Sequence, residues 1–213
     1  MKFILYWSIF LASCFSVFAQ GHAYDEVMTK NLYMLDTAQH PAAYQTLAAH
    51  FQRLGKSEKD RWLPYYYAAL CQVRAAFGQE NKKEIDPLVA QAEHLAQQAD
   101  SLHPDKAEML CLRALMNFAK IQVDPMQRGQ TLGMQAVQFL EAAHKINPDN
   151  PRYYLLTAQM ILHKPKQYGG GEEHARAYLK KAVQKFKTYE PPNKFSPDWG
   201  LDIALGLMMH GKE

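Results

Sequence analysis

The 213-residue sequence has few cysteines, little excess charge and no strand-like stretch. It contains three cysteines, and its formal net charge is +3. So small a positive charge excludes the basic footprint of a nucleic-acid-binding protein. The alternation of apolar and polar residues that marks a half-buried strand nowhere outweighs helical spacing. The sequence therefore predicts an all-α protein that binds no nucleic acid.

The sequence also lacks motifs for catalysis, metal binding and phosphate binding. None of its nine histidines has the His-x-x-x-His spacing that puts two metal ligands on one helical face. The glycines at 169–171 are followed by Glu172 and Glu173, whose charges would repel phosphate, so a tight turn between helices is predicted there. We find no nucleophile elbow and no Cys-His-Asn set. We therefore expect no enzyme activity, no cofactor and no metal site.

The first nineteen residues differ from the rest of the chain. One lysine precedes a long apolar run, no further charge occurs before Asp25, and residues 17–19 fit a signal-peptidase site. The run is short for a membrane span, and no basic stop-transfer stretch follows it. We predict a signal peptide over residues 1–19, cleaved after Ala19. The mature domain, residues 20–213, would then lie in the periplasm or cell envelope without a transmembrane segment.

Each cysteine leaves an alternative open. Residues 11–14 resemble a lipoprotein box, in which Cys14 would carry a lipid anchor. The apolar run continues through residues 15–18, where a lipoprotein usually turns polar, so lipidation is the disfavoured alternative. Cys71 and Cys111 lie in apolar helical stretches, and export permits a disulfide between them. Two buried free thiols are favoured, because geometry rejects most cysteine pairs.

One stretch of sequence recurs at a fixed spacing. Residues 99–104 read Ala-Asp-Ser-Leu-His-Pro, and residues 143–148, 44 positions later, read Ala-His-Lys-Ile-Asn-Pro. Each copy closes an amphipathic segment and is followed by aspartate and another apolar segment. A fixed period of this length is typical of stacked helical hairpins, because one hairpin cannot bury its apolar face alone.

Apolar residues at helical spacing predict seven to nine helices joined by short connectors. Asp105 with Glu108 resembles a capping box, and Asp124 and Asn150 each stand as a helix N-cap before a proline. Gly55 is the predicted C-terminal stop of the helix that begins after Pro41. A proline-rich loop then leads to Ser-Pro-Asp at 196–198, which is predicted to open a final apolar helix.

Residues 40–210 resemble exported tetratricopeptide-like proteins of Gram-negative bacteria. The likeness lies in small residues on helical stripes, in the alanine and proline that close each second helix, and in three short runs. These residues are Ala69, Ala114, Ala158, Ala99, Ala143, Pro104 and Pro148, and the runs are residues 62–69, 150–152 and 168–171. The resemblance implies a right-handed α-α superhelix of antiparallel helix hairpins, a tetratricopeptide-like solenoid.

Such repeats bind partners on a concave surface lined by the first helix of each hairpin. The resemblance therefore implies a non-enzymatic scaffold for an extended peptide or protein segment. The residues implied to reach that partner are Tyr66, Arg74, Glu108, Arg152, Gln159 and His163. The alternative is a structural subunit of an envelope complex that assembles through its apolar end helix, residues 199–209.

Overall fold

The computed structural model describes residues 23–210, which form a stack of helices. This part of the chain contains nine α-helices, two short 3-10 helices and no β-strand, so the predicted all-α class is confirmed. The α-helices are α1 (residues 23–37), α2 (Pro41–Ser57), α3 (Leu63–Phe77), α4 (Ile85–Asp100), α5 (Lys106–Ile121), α6 (Pro125–Ile146), α7 (Pro151–His163), α8 (Glu172–Thr188) and α9 (Leu201–His210). The 3-10 helices span Lys82–Glu84 and Lys166–Tyr168. The predicted signal peptide, its cleavage after Ala19 and the lipidation of Cys14 lie outside the described residues.

Helices that follow one another in the chain pair into hairpins. α3 contacts α4, α5 contacts α6 and α7 contacts α8, and the short connectors make the two helices of each pair antiparallel. α3 also contacts α5, and α5 contacts α7, so the first helices of successive hairpins lie side by side. The two copies of the recurring stretch close α4 and α6, which are second helices of their hairpins. The 44-residue period therefore corresponds to one hairpin.

Local sequence determines where α5, α6 and α7 begin. The Asp105 carboxylate accepts hydrogen bonds from the backbone N–H groups of Ala107 (2.8 Å) and Glu108 (3.1 Å). Asp124 and Asn150 cap α6 and α7 in the same way, so these predicted N-caps are present. The capping box at Asp105 is only half formed, because the Glu108 side chain turns into the protein interior and contacts other helices.

Gly55 is not the end of α2, which continues to Ser57. The glycine is buried, and a Cβ atom at this position would lie 2.9 Å from the Tyr65 ring at the start of α3. Glycine is therefore needed for the close contact between two helices. Sequence alone favoured a helix stop because the same residue type commonly ends helices.

The segment between α8 and α9, residues 189–200, contains no helix, and we call it the strap. The sequence predicted a helix start at Ser196, but α9 begins at Leu201. The backbone N–H of Asn193 donates a hydrogen bond to the Ser196 hydroxyl (3.3 Å), and the Asn193 side chain accepts one from Phe195 N–H (2.9 Å). Ser196, predicted as part of a helix cap, thus takes part in a turn with Asn193 within the strap.

Two glycine substitutions should change stability in opposite directions. At Gly200 the backbone φ is +118°, and a Cβ would lie 2.7 Å from Phe186 and 2.8 Å from Leu155, so Gly200→Ala should lower the free energy of unfolding by about 2 kcal/mol. Gly133 is inside α6 with no atom within 4 Å of an added Cβ, so Gly133→Ala should raise it by about 1 kcal/mol. Urea denaturation of both variants measures these changes. Equal effects in the two variants would contradict the placement of Gly200.

Candidate functional site

The first helices of the three central hairpins bring one polar side chain each to a common centre. Tyr66 lies in the first turns of α3, Glu108 in α5 and Arg152 in α7. Their exposed fractions are 0%, 2% and 0%, respectively. Because α3, α5 and α7 lie side by side, residues in the first turn of each helix meet in one layer. We call these three residues the polar centre.

A two-pronged ion pair holds the polar centre together. Arg152 Nη2 lies 2.6 Å from Glu108 Oε1, and Arg152 Nε lies 2.7 Å from Glu108 Oε2. Asn150 Nδ2 donates a further hydrogen bond to the same carboxylate (2.7 Å), and the Tyr66 hydroxyl donates a longer one (3.4 Å). A buried charge is tolerated only when it is paired and its other hydrogen bonds are made, and both conditions hold here.

The surroundings of the polar centre shift the protonation of its members. Burial raises the pKa of Tyr66 well above its ordinary value, and the negative charge of Glu108 raises it further. Burial alone would lower the pKa of Arg152, but attraction and hydrogen bonds from Glu108 outweigh that effect and hold it above its usual range. Tyr66 is therefore neutral and Arg152 charged at physiological pH. Each is held by structural contacts.

The strap packs against α3 and α7 and covers the polar centre. We call the side of α3, α5 and α7 that carries the polar centre the inner face. Trp199 Nε1 donates a hydrogen bond to the Tyr66 hydroxyl (3.0 Å), and the Tyr67 hydroxyl donates one to the backbone oxygen of Phe195 (2.8 Å). The Arg152 guanidinium lies 4.8 Å from the centre of the Tyr189 ring and 5.8 Å from that of Trp199. These contacts come from both ends of the strap, so the chain itself fills this part of the inner face.

The strap also reaches the first described helix. The Phe195 ring meets Tyr24 of α1 edge to face, with ring centroids 5.5 Å apart. Lys194 Nζ lies 2.6 Å from Asp25 Oδ2 in an ion pair. Residues near the end of the chain therefore connect α1 to the hairpin of α7 and α8.

The structure divides the six predicted partner-binding residues into two groups. Tyr66, Glu108 and Arg152 are buried and contact one another or the strap, so they present no surface to a partner in this conformation. The sequence predicted that all six residues line an open surface. Three are buried instead because the strap, which the sequence assigned to a connector and a helix start, covers them. The others stay predicted partner contacts: Arg74 and Gln159 are half-buried, and His163 is exposed.

The residues that sequence reasoning missed are Asn150 and Trp199. Asn150 was predicted as the N-cap of α7, which it is, but its amide also holds Glu108. Trp199 was predicted to belong to the final apolar helix, whereas it lies in the strap above Tyr66. No periodic pattern could identify either contact, because each joins residues far apart in the chain.

Two surface clefts lie outside the polar centre. One, with a volume of about 650 Å³, lies between α1 and the strap and is lined by Asp25, Glu26, Thr29, Lys30, Tyr33 and Lys194. The other, of about 360 Å³, lies near the start of α5 and the end of α8, where carboxylates (Asp105, Asp149, Glu190) are prominent. Both clefts are open to solvent, and the larger one is the shallower of the two.

Cys71 and Cys111 are buried free thiols, which is the alternative that the sequence favoured. Burial raises the pKa of the Cys71 thiol to about 12 and also raises that of Cys111. Within residues 23–210, no group of three or more His, Cys, Asp or Glu side chains is arranged to hold a metal ion. No helix in the same range is long and apolar enough to cross a membrane.

One solved structure shares this fold and much of this sequence. The chain is 38% identical to the HusA haemophore from Porphyromonas gingivalis, with a TM-score of 0.81. The match covers 91% of this chain and 94% of that protein. No protein-family model and no curated protein sequence matches the chain.

Breaking the buried ion pair should destabilise the protein far more than breaking an exposed one. Arg152→Leu leaves the Glu108 carboxylate buried without its partner, so the free energy of unfolding should fall by about 3–5 kcal/mol. The matched control is Arg113→Leu, which removes the half-exposed Arg113–Asp100 pair and should cost about 1 kcal/mol or less. Urea denaturation of both variants gives the comparison. Similar losses would show that the polar centre is not the stabilising contact described.

The thiols should be unreactive until the protein unfolds. In the form without residues 1–19, neither Cys71 nor Cys111 should react with Ellman's reagent at about pH 8, because both are buried and protonated. Both should react after unfolding in guanidinium chloride. A fast reaction of the folded protein would contradict their burial, and no reaction after unfolding would indicate a disulfide.

Proposed function

This chain belongs to the family of the HusA haemophore, and we propose that it too binds haem outside the cytoplasm and carries it as a haemophore. The sequence identity over nearly the whole of both chains is the observation that supports this proposal most strongly. The predicted signal peptide agrees with it, since a haemophore must be exported to meet its cargo. We propose the periplasm or the cell exterior as its location.

The strap argues against the alternative that the inner face binds an extended peptide. A peptide on α3, α5 and α7 would have to displace Trp199 from Tyr66 and expose the Arg152–Glu108 pair to water. That displacement would sacrifice several buried hydrogen bonds before any new contact formed. A compact ligand bound beside the strap requires no such change. The contacts of the inner face therefore favour a small-molecule carrier over a peptide scaffold.

We also propose that the protein is not an enzyme. The strongest pKa shifts fall on Tyr66, Tyr67, Cys71, Cys111 and Arg152, and burial or structural pairing accounts for each of them. Catalytic groups with shifted pKa values usually lie in a cleft that substrate can enter. None of these five residues lines either of the two clefts.

A protein partner remains a second candidate on the surface that the strap leaves open. On α9, Leu205 and Met209 are exposed on one face, four residues apart, and such apolar exposure is common at interaction surfaces. Gln159 and His163 lie in the later turns of α7. Arg74, near the end of α3, lies beside the strap, with its guanidinium 6.0 Å from the centre of the Trp199 ring. We keep the tetratricopeptide-like superhelix as the proposed arrangement of the hairpins. A clean monomer in solution would count against a structural subunit that assembles through α9.

Haem titration tests the proposed function directly. Adding haemin to the folded protein should give a saturable change in the Soret absorption band at one haemin per chain, with a Kd of roughly micromolar or tighter. The control is the same chain unfolded in urea, which retains the composition but lacks any folded site. A linear change without saturation, equal in the folded and unfolded chains, would overturn the proposal.

A further inference from the structure

Residues of α1 and one residue of the strap line the cleft between these two segments. Glu26, Lys30 and Tyr33 follow one another at four- and three-residue spacing, so they share one face of α1. Lys194 comes from the strap, and its ammonium group reaches Asp25 of α1. The cleft has a volume of about 650 Å³ and is open to solvent. A ligand could therefore enter it while the strap keeps its contacts with the polar centre.

Tyr33 leaves an aromatic ring uncovered in this cleft. It is 72% exposed, although burial of a ring of this size is among the larger sources of apolar stabilisation. On α1 the neighbouring tyrosine, Tyr24, is buried at 2% exposure and packs against Phe195. The exposed ring can stack against the flat face of an aromatic ligand without displacing any buried contact.

Two lysines line the cleft together with two carboxylates: Lys30, Asp25 and Glu26 come from α1, and Lys194 comes from the strap. Lys194 is paired with Asp25, but their side chains are 63% and 46% exposed, and an ion pair so exposed contributes little. A ligand carboxylate can therefore replace Asp25 as the partner of Lys194 at small cost. Lys30 supplies the second cation from α1. Two cations beside an aromatic ring suit a flat molecule that carries two carboxylates.

We propose that this cleft binds a planar tetrapyrrole dicarboxylate, with its ring against Tyr33 and its carboxylates on Lys30 and Lys194. This inference rests on the proposed function, because haem belongs to that class of ligand. The smaller cleft fits the class less well, since its three carboxylates (Asp105, Asp149 and Glu190) face one lysine, Lys185. In the larger cleft the carboxylates of Asp25 and Glu26 are balanced by the two lysines. The polar centre is already filled by the strap.

Matched tyrosine variants test the aromatic contact. Tyr33→Ala should raise the Kd for haemin roughly three- to tenfold in absorption titrations. Tyr168, in the connector after α7, is 65% exposed and lies outside both clefts, so Tyr168→Ala should leave the Kd unchanged. Both residues are exposed, so both variants should fold, and circular dichroism checks this. If the parent binds haemin and the two variants bind equally well or equally poorly, the cleft is not the site. If the parent does not bind haemin, the proposed function itself fails.

A charge substitution tests the carboxylate contact with the opposite sign. Asp25→Asn frees Lys194 for the ligand, so the Kd for haemin should fall roughly two- to fivefold. Asp100→Asn removes the same charge from another half-exposed ion pair, with Arg113, and should not change the Kd. Haemin dimethyl ester, which lacks free carboxylates, should bind the Asp25→Asn variant and the parent equally. An unchanged Kd for haemin in the Asp25→Asn variant, or an equal fall with the ester, would overturn the assignment of Lys194.

Discussion

The buried ion pair between Arg152 and Glu108 is the contact on which the inner face of this protein depends. Transferring both charges out of water is costly, and it is tolerated because the guanidinium and the carboxylate meet at two points. Asn150 and Tyr66 complete the hydrogen bonds of the carboxylate. Trp199 then covers Tyr66, and this contact holds the strap against the inner face. The placement of α9 follows, because this helix begins directly after the strap.

Features that depend on neighbouring residues could be predicted from the sequence. The N-caps Asp105, Asp124 and Asn150 hydrogen-bond to residues two or three positions away, so their side chains act regardless of the rest of the fold. The all-α class and the hairpin period follow from apolar spacing in the same way. Gly55 shows the limit of local reasoning. The residue type suggested a helix end, but the Tyr65 ring on the next helix is what requires glycine.

The candidate site could not be predicted, because its contacts join residues far apart in the chain. Glu108 has the spacing of a capping box with Asp105, yet its charge partner lies 44 residues away in another hairpin. The proline-rich stretch before Trp199 reads as a connector, and only its contacts with Tyr66 and Tyr67 reveal that it covers the inner face. Helical periodicity could not predict the function for the same reason. Helical spacing describes how hairpins bury their apolar faces, whereas ligand binding depends on exposed side chains, and the site that we propose consists of Tyr33 and the two lysines beside it.

The strap has a consequence for the order in which the protein can mature. Phe195 and Tyr67 are 128 residues apart, and Lys194 and Asp25 are 169 apart, so closure requires nearly the entire polypeptide. Until the strap has been synthesised, it cannot cover the earlier hairpins, and the guanidinium of Arg152 is open to water. Contacts of such long range also form slowly. Burial of the polar centre is therefore complete only after residues 189–200 have joined the earlier hairpins.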